Sequence, residues 1–118
     1  MATSPLPTNR TLVRLRDLYR ALGDASRLRI CALLADAGSL TVSELVIRVG
    51  LSQPLISWHL RILRLAGVIE TQRVGRETHC QLRPAAFEEL SHAQARLLSG
   101  SLEADAAAPV AAQVSDVG

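Results

Sequence analysis

Lysine is absent from this 118-residue chain; all 13 basic side chains are arginine. Aromatic residues make up only 3% of the sequence against 48% apolar residues overall, so its core must be aliphatic, built from Leu, Ile, Val and Ala. No apolar run approaches the roughly 18 residues that a membrane-spanning helix needs. The opening MATSPLPTNR has no apolar stretch of the kind that leads a secretory signal. The two cysteines, Cys31 and Cys80, fit neither a zinc spacing nor a disulfide framework. These absences lead us to expect a protein of the reducing cytoplasm with no membrane association. No nucleophile–base pair, Gly-rich phosphate loop or metal-type cluster stands at a supporting spacing. His79 and Cys80 are the only neighbours of catalytic type, and adjacency on a strand sends them to opposite faces. An enzyme is therefore not expected, and no cofactor is required.

The length fits one small domain, whose core is marginal alone and would gain from pairing with a second copy. Charge is uneven. Residues 1–98 carry all 13 basic residues and 8 of the 11 acids, a balance of +5, whereas residues 99–118 carry three acids and no base. A GC-rich genome would favour Arg on its own account. Arg forks also suit phosphates and guanine edges.

The composition divides the chain into a Pro-, Ser- and Thr-rich loose segment over 1–9, a folded domain over 10–98 and an Ala-rich, acidic tail over 99–118 that Pro109 interrupts. The domain is expected to be mainly α with one small β-hairpin, in the order of four helices, two strands and a last helix. Helix one, about 10–22, carries Leu12, Leu15, Tyr19 and Leu22 on one stripe. Gly23 ends it, and Asp24 caps a second helix, about 25–37, with Leu28, Cys31, Leu34 and Ala35 facing inward. TVSE at 41–44 forms a capping box that opens a short third helix, closed by Gly50. Ser52 caps a fourth helix with Pro54 in its first turn. At about 100° per residue, Ile56, Leu60, Leu63 and Gly67 form its core line, and Gly67 ends the helix. Gln53, Ser57, Arg61 and Arg64 fall on a flank turned away, with Pro54 and Trp58 beside them. VIETQRV and ETHCQLR alternate as hairpin strands do, joined at Gly75-Arg76, where Gly75 can supply a positive φ. Pro84 opens the last helix, about 84–98, with Phe87, Leu90, Ala93 and Leu97 on one stripe.

A short helix, a three-residue break and a second helix with a polar open face form a helix-turn-helix, and the basic hairpin that follows is its wing. Short side chains on the open face let a helix backbone approach base edges in a major groove. Gln53 can bond an adenine edge in two places, and Ser57 can reach a base or a phosphate. Ser52 and the helix N-terminus present amide hydrogens to a phosphate. Arg61 and Arg64 lie further along, while Arg73 and Arg76 on the wing can reach phosphates or the adjacent minor groove. Five arginines and a single acid lie from Arg48 to Arg76. The candidate contacts with double-stranded DNA are Thr41, Ser52, Gln53, Pro54, Ser57, Trp58, Arg61, Arg64, Arg73 and Arg76.

ALGDASRLRICALL at 21–34, TVSELVIRVGLSQPLISWHLRILRLAGVIETQRVGRETHCQL at 41–82 and the last helix together resemble the ArsR-type family of bacterial winged-helix repressors, over about residues 15–98. The resemblance implies a transcriptional regulator acting as a homodimer on an imperfect palindrome. The first and last helices would pair across the two-fold axis, through Leu12, Leu15, Tyr19, Phe87, Leu90 and Leu97. Many members release DNA on binding a metal, but the family's ligand positions fall here on Thr41 and Ser43, and on Pro84, Ala86, Leu97 and Gly100, none of which is a ligand. A redox-sensing group pairs a thiol on the second helix with one on the last. Cys31 could be the first, but residues 84–98 contain no Cys. An unconventional Ni²⁺ or Zn²⁺ effector site using His79, Cys80 or His92 stays open, the last with Glu88 and Glu89 one turn before it. His59, on the core side of the fourth helix, is expected to make a structural hydrogen bond or a phosphate contact. A winged helix turned protein-interaction module, or one with a protein co-regulator, is the remaining alternative.

Overall fold

Four of the five helices start on a side chain that accepts a backbone N–H, so the sequence itself sets where they begin. Asn9 accepts from the amides of Thr11 and Leu12, Asp24 from Arg27, Thr41 from Glu44 and Ser52 from Leu55. The computed structural model describes residues 9–102. In chain order its elements are α1 (Arg10–Leu22), α2 (Ala25–Ala37), β1 (Leu40–Thr41), α3 (Val42–Val49), α4 (Gln53–Leu65), β2 (Ile69–Val74), β3 (Glu77–Leu82) and α5 (Pro84–Ser99). α5 opens without a side-chain cap, on Pro84, whose ring presets the first helical φ.

The sheet has three antiparallel strands in the order β1-β3-β2, not the hairpin alone that the sequence suggests. Leu40 and Thr41 pair with Cys80 and His79, and β2 pairs with β3 from Ile69 opposite Leu82 to Val74 opposite Glu77. Two residues are too few to show strand alternation, and their contribution to the α3 cap masks them further. The extra strand ties the start of α3 to the wing.

The core gathers Leu18, Ile30, Leu34, Leu45, Ile56, Leu63 and Ile69 from α1 to β2, all fully buried. α2 departs from expectation in phase. Its inner face is Arg27, Ile30, Cys31 and Leu34, while Leu28 is 51% exposed and Ala35 is also exposed. An arginine on the core face breaks the apolar stripe from which the phase would be read. No helix among the described residues is long and apolar enough to cross a membrane.

A second small cluster joins Leu15, Ala93 and Leu102 where α1 packs on α5. Leu15 is thus buried inside the chain and is removed from the surface expected to meet a partner. Phe87 and Leu90 are half-buried against the core, Leu12 is half-buried, and Tyr19 and Leu97 are exposed. Leu102 belongs to the stretch expected to be a tail, yet it is buried, and its carbonyl accepts from Asn9 Nδ2 at 3.3 Å. Ser99 ends α5, and the folded body runs beyond residue 98. The remaining tail, 103–118, and the N-terminal stretch 1–8 lie outside the described residues. Leu102→Ala should lower the unfolding free energy by about 2–5 kcal/mol, read as a shift in the urea midpoint. An unchanged midpoint would return Leu102 to the tail.

Candidate nucleic-acid interface

α3 and α4 are joined by a tight turn. Gly50 sits at φ 80°, a left-handed position that costs glycine least, and its N–H bonds to the Val46 carbonyl at 3.0 Å. Leu51 and Ser52 complete the break, and the Ser52 hydroxyl accepts the Leu55 amide at 3.4 Å. α4 buries Ile56, His59, Leu60 and Leu63. Gln53, Pro54, Ser57, Trp58, Arg61 and Arg64 are all exposed. No acid lies on the helix.

The fold brings part of the predicted set together. Gln53 and Ser57 face Arg73 and Arg76 of the wing across a polar cleft of about 280 Å³, completed by residues including Ser43 and Thr78. Arg73 is held within the wing, its Nε donating to the Gly75 carbonyl at 3.3 Å and its Nη1 to Thr78 Oγ1 at 3.4 Å. Gly75 has the positive φ, 63°, that the turn requires. Pro54, Trp58, Arg61 and Arg64 do not line this cleft.

Thr41 also lines this cleft, as a capping residue. It is buried, its hydroxyl accepts the Glu44 amide at 3.1 Å, and its own amide donates to Glu44 Oε1 at 2.8 Å. It fixes the start of α3 within the cleft wall. The Thr41 amide, which donates to the Glu44 carboxyl, and then the Thr41 hydroxyl beside it hold that carboxyl below its ordinary pKa. Ser43 and Thr78 were missed because only the pairing of β1 with β3 brings the start of α3 against the wing.

α4 is anchored from behind by Arg27, a buried cation. Its Nε donates to the Ala21 carbonyl at 2.6 Å and its Nη2 to the Arg20 carbonyl at 3.3 Å, satisfying the open end of α1. Its Nη1 lies 3.1 Å from His59 Nδ1. A guanidinium only donates, so Nδ1 accepts and a neutral imidazole carries its proton on Nε2. The same guanidinium stands 5.8 Å from the centre of the Trp58 ring. Asp24 caps α2 through the Arg27 amide, and that bond leads the causes that hold its pKa down. The structural hydrogen bond expected of His59 is thus present, supplied by Arg27.

The other candidate ligands stay apart. His79 pairs with Thr41 and Gln72 in the sheet, whereas the adjacent Cys80 is wholly buried. Both carboxylate oxygens of Glu89 are taken by Arg14, at 2.8 and 3.1 Å, which leaves Glu88 and His92 without it. Among the described residues no group of three or more His, Cys, Asp or Glu side chains could hold a metal ion. Burial raises both thiols, Cys31 and Cys80, to a pKa of about 11.

A short helix, a left-handed turn, an exposed polar helix and a two-stranded wing define a winged helix-turn-helix protein. The profile of the bacterial regulatory protein ArsR family matches residues 24–71, so over that stretch the chain is similar to that family. An uncharacterized HTH-type transcriptional regulator of Methanocaldococcus jannaschii is 39% identical over 59 residues, covering 50% of this chain and 66% of that protein. The arsenical resistance operon repressor of Escherichia coli is 39% identical over 67 residues, 57% of each chain. This chain spans about half to two thirds of the length of such relatives. Among solved structures, an ArsR-like transcriptional regulator from Rhodococcus sp. RHA1 superposes with a TM-score of 0.69 at 27% identity, covering 88% of this chain and 94% of that one.

Two outcomes follow from the buried groups. Arg27→Met should cost about 1–3 kcal/mol for each buried acceptor it leaves unpaired, seen in urea unfolding, while a variant as stable as the parent would refute the anchor. The unfolded chain loses its thiol protons near pH 9 and the folded chain keeps them to about 11, so folding stability should decline as pH rises through that window. Unfolding curves that stay flat in the alanine variants of both cysteines, and not in the parent, would assign the decline to the thiols.

Proposed function

We propose that this chain is a sequence-specific DNA-binding transcriptional regulator, a repressor, acting as a cytoplasmic homodimer on an imperfect palindrome. The observation that carries the reading is the polar cleft in which Gln53 and Ser57 of α4 stand opposite Arg73 and Arg76 of the wing. On this reading α4 enters the major groove. Gln53 reads an adenine edge, Ser57 a base or phosphate, and the wing arginines the adjoining backbone. Ser52, Pro54, Trp58, Arg61 and Arg64 extend the contact along the exposed side of the helix. The repressor role is supported by the E. coli relative named as one.

Pairing is supported by apolar surface left on α1 and α5. Tyr19 and Leu97 line an open groove with Leu12, and Leu98 is 81% exposed. A second copy laid across these helices would cover that surface and set two α4 helices about 34–36 Å apart, one turn of duplex. A protein-interaction module would be free to lose the basic wing and to accept acids on α4, neither of which has happened here.

A gel shift on the DNA upstream of the chain's own gene, run at two salt concentrations, tests the proposal, since phosphate-driven binding weakens steeply with salt. Gln53→Ala should relax base preference by about 1–3 kcal/mol per half-site contact, while Arg76→Ala should weaken binding to most sequences alike and flatten the salt slope. Retention indifferent to salt, or a Gln53→Ala protein with unaltered preference, would overturn the assignment of the cleft.

A further inference from the structure

A second concavity lies away from the polar cleft, between α1 and the C-terminal half of α4. It measures about 500 Å³, in the range of small-molecule sites. Its apolar lining is Ala21, Trp58, Ile62, Leu65 and Ala66. Trp58 and Leu65, seven residues apart on one helical face, are 54% and 69% exposed.

The charged lining sets the sign of the occupant. Arg14, Arg20 and Arg27 contribute three guanidinium groups against one carboxylate, that of Asp17. Asp17 is taken up by Arg16 at 3.0 Å. Arg14 is bound to Glu89 and to the Ala66 carbonyl, and Arg27 to carbonyls and His59. The Arg20 guanidinium is exposed and makes no hydrogen bond or ion pair among the described residues. A planar fork with free donors matches a carboxylate. Three guanidinium groups repel a metal cation, and a bare phosphate has nothing to set against five apolar side chains. A second copy laid on Leu12, Tyr19 and Leu97 would leave most of this groove open, because Arg14, Asp17 and Ala21 occupy the flank of α1 turned away from them, although Arg20 stands between the two grooves and lines both.

We infer that this groove binds a small aromatic carboxylate, its ring against the Trp58 indole and its carboxylate on Arg20, and that the bound acid and DNA compete for Trp58. The competition rests on the DNA-binding reading; the binding site does not. The chain has a single tryptophan, so its indole N–H gives one resonance that reports on this groove. Titration of the ¹⁵N-labelled protein with 2-naphthoate should shift that resonance saturably. 2-Naphthamide, the uncharged counterpart, should bind about tenfold more weakly for want of a charge-assisted bond, and acetate should leave the resonance unmoved. Arg20→Gln, a change at an exposed position, should reduce naphthoate binding to the level of the amide. Saturating naphthoate should then release the retarded duplex. No saturable shift at millimolar naphthoate, equal binding of the amide, or full binding by the Arg20→Gln protein would overturn the site. Uptake with undiminished DNA retention would overturn the competition. Uptake by a protein that retains no duplex even without the acid would uphold the site and remove the DNA-binding reading instead.

Discussion

The buried guanidinium of Arg27 is the constraint around which the domain is arranged. Removing a cation from water is tolerable only where its donors are matched, and here the matches come from separate elements: two carbonyls at the end of α1 and a ring nitrogen of α4. The cation that satisfies the open end of one helix thereby fixes the position and rotation of another. Favourable charge at a helix C-terminus adds to the arrangement. Since α4 presents Gln53 and Ser57 on the side away from this anchor, the outward face is set from within the core.

The absence of lysine acquires a structural meaning beside any effect of genome composition. Arg14 repeats the device at the C-terminal end of α4, its Nη1 donating to the Ala66 carbonyl at 2.6 Å while the rest of its fork grips Glu89 of α5. An ammonium group, a compact charge without a planar fork, would be a poor substitute for either bridge. The chain spends arginines inside the fold as well as on the surface, so net charge alone misjudges how many are free to meet an anion.

Most of the fold was legible in the sequence because its signals are local. The capping residues Asp24, Thr41 and Ser52, the stop at Gly50, and the core line of Ile56, Leu60 and Leu63 all act within a few residues. The exposure of Gln53, Ser57, Trp58, Arg61 and Arg64 followed from the same helical phase. What escaped depends on distant partners. β1 exists only because β3 lies beside it, and Ser43 and Thr78 join the cleft for the same reason. The phase of α2 was hidden because Arg27 becomes a core residue only once the α1 carbonyls and His59 surround it. Leu15 and Leu102 looked like surface and tail until each covered the other, across more than eighty residues of chain.

The Arg14 bridge carries a mechanical implication. Glu89 and the Ala66 carbonyl share one rigid, planar connector, so any sliding of α5 along α1 draws on the last turn of α4 with little slack between them. On the proposed reading, the seam where two copies join and the surface that scans a duplex are thus geared together by a single side chain, and the quality of one contact is written into the aim of the other.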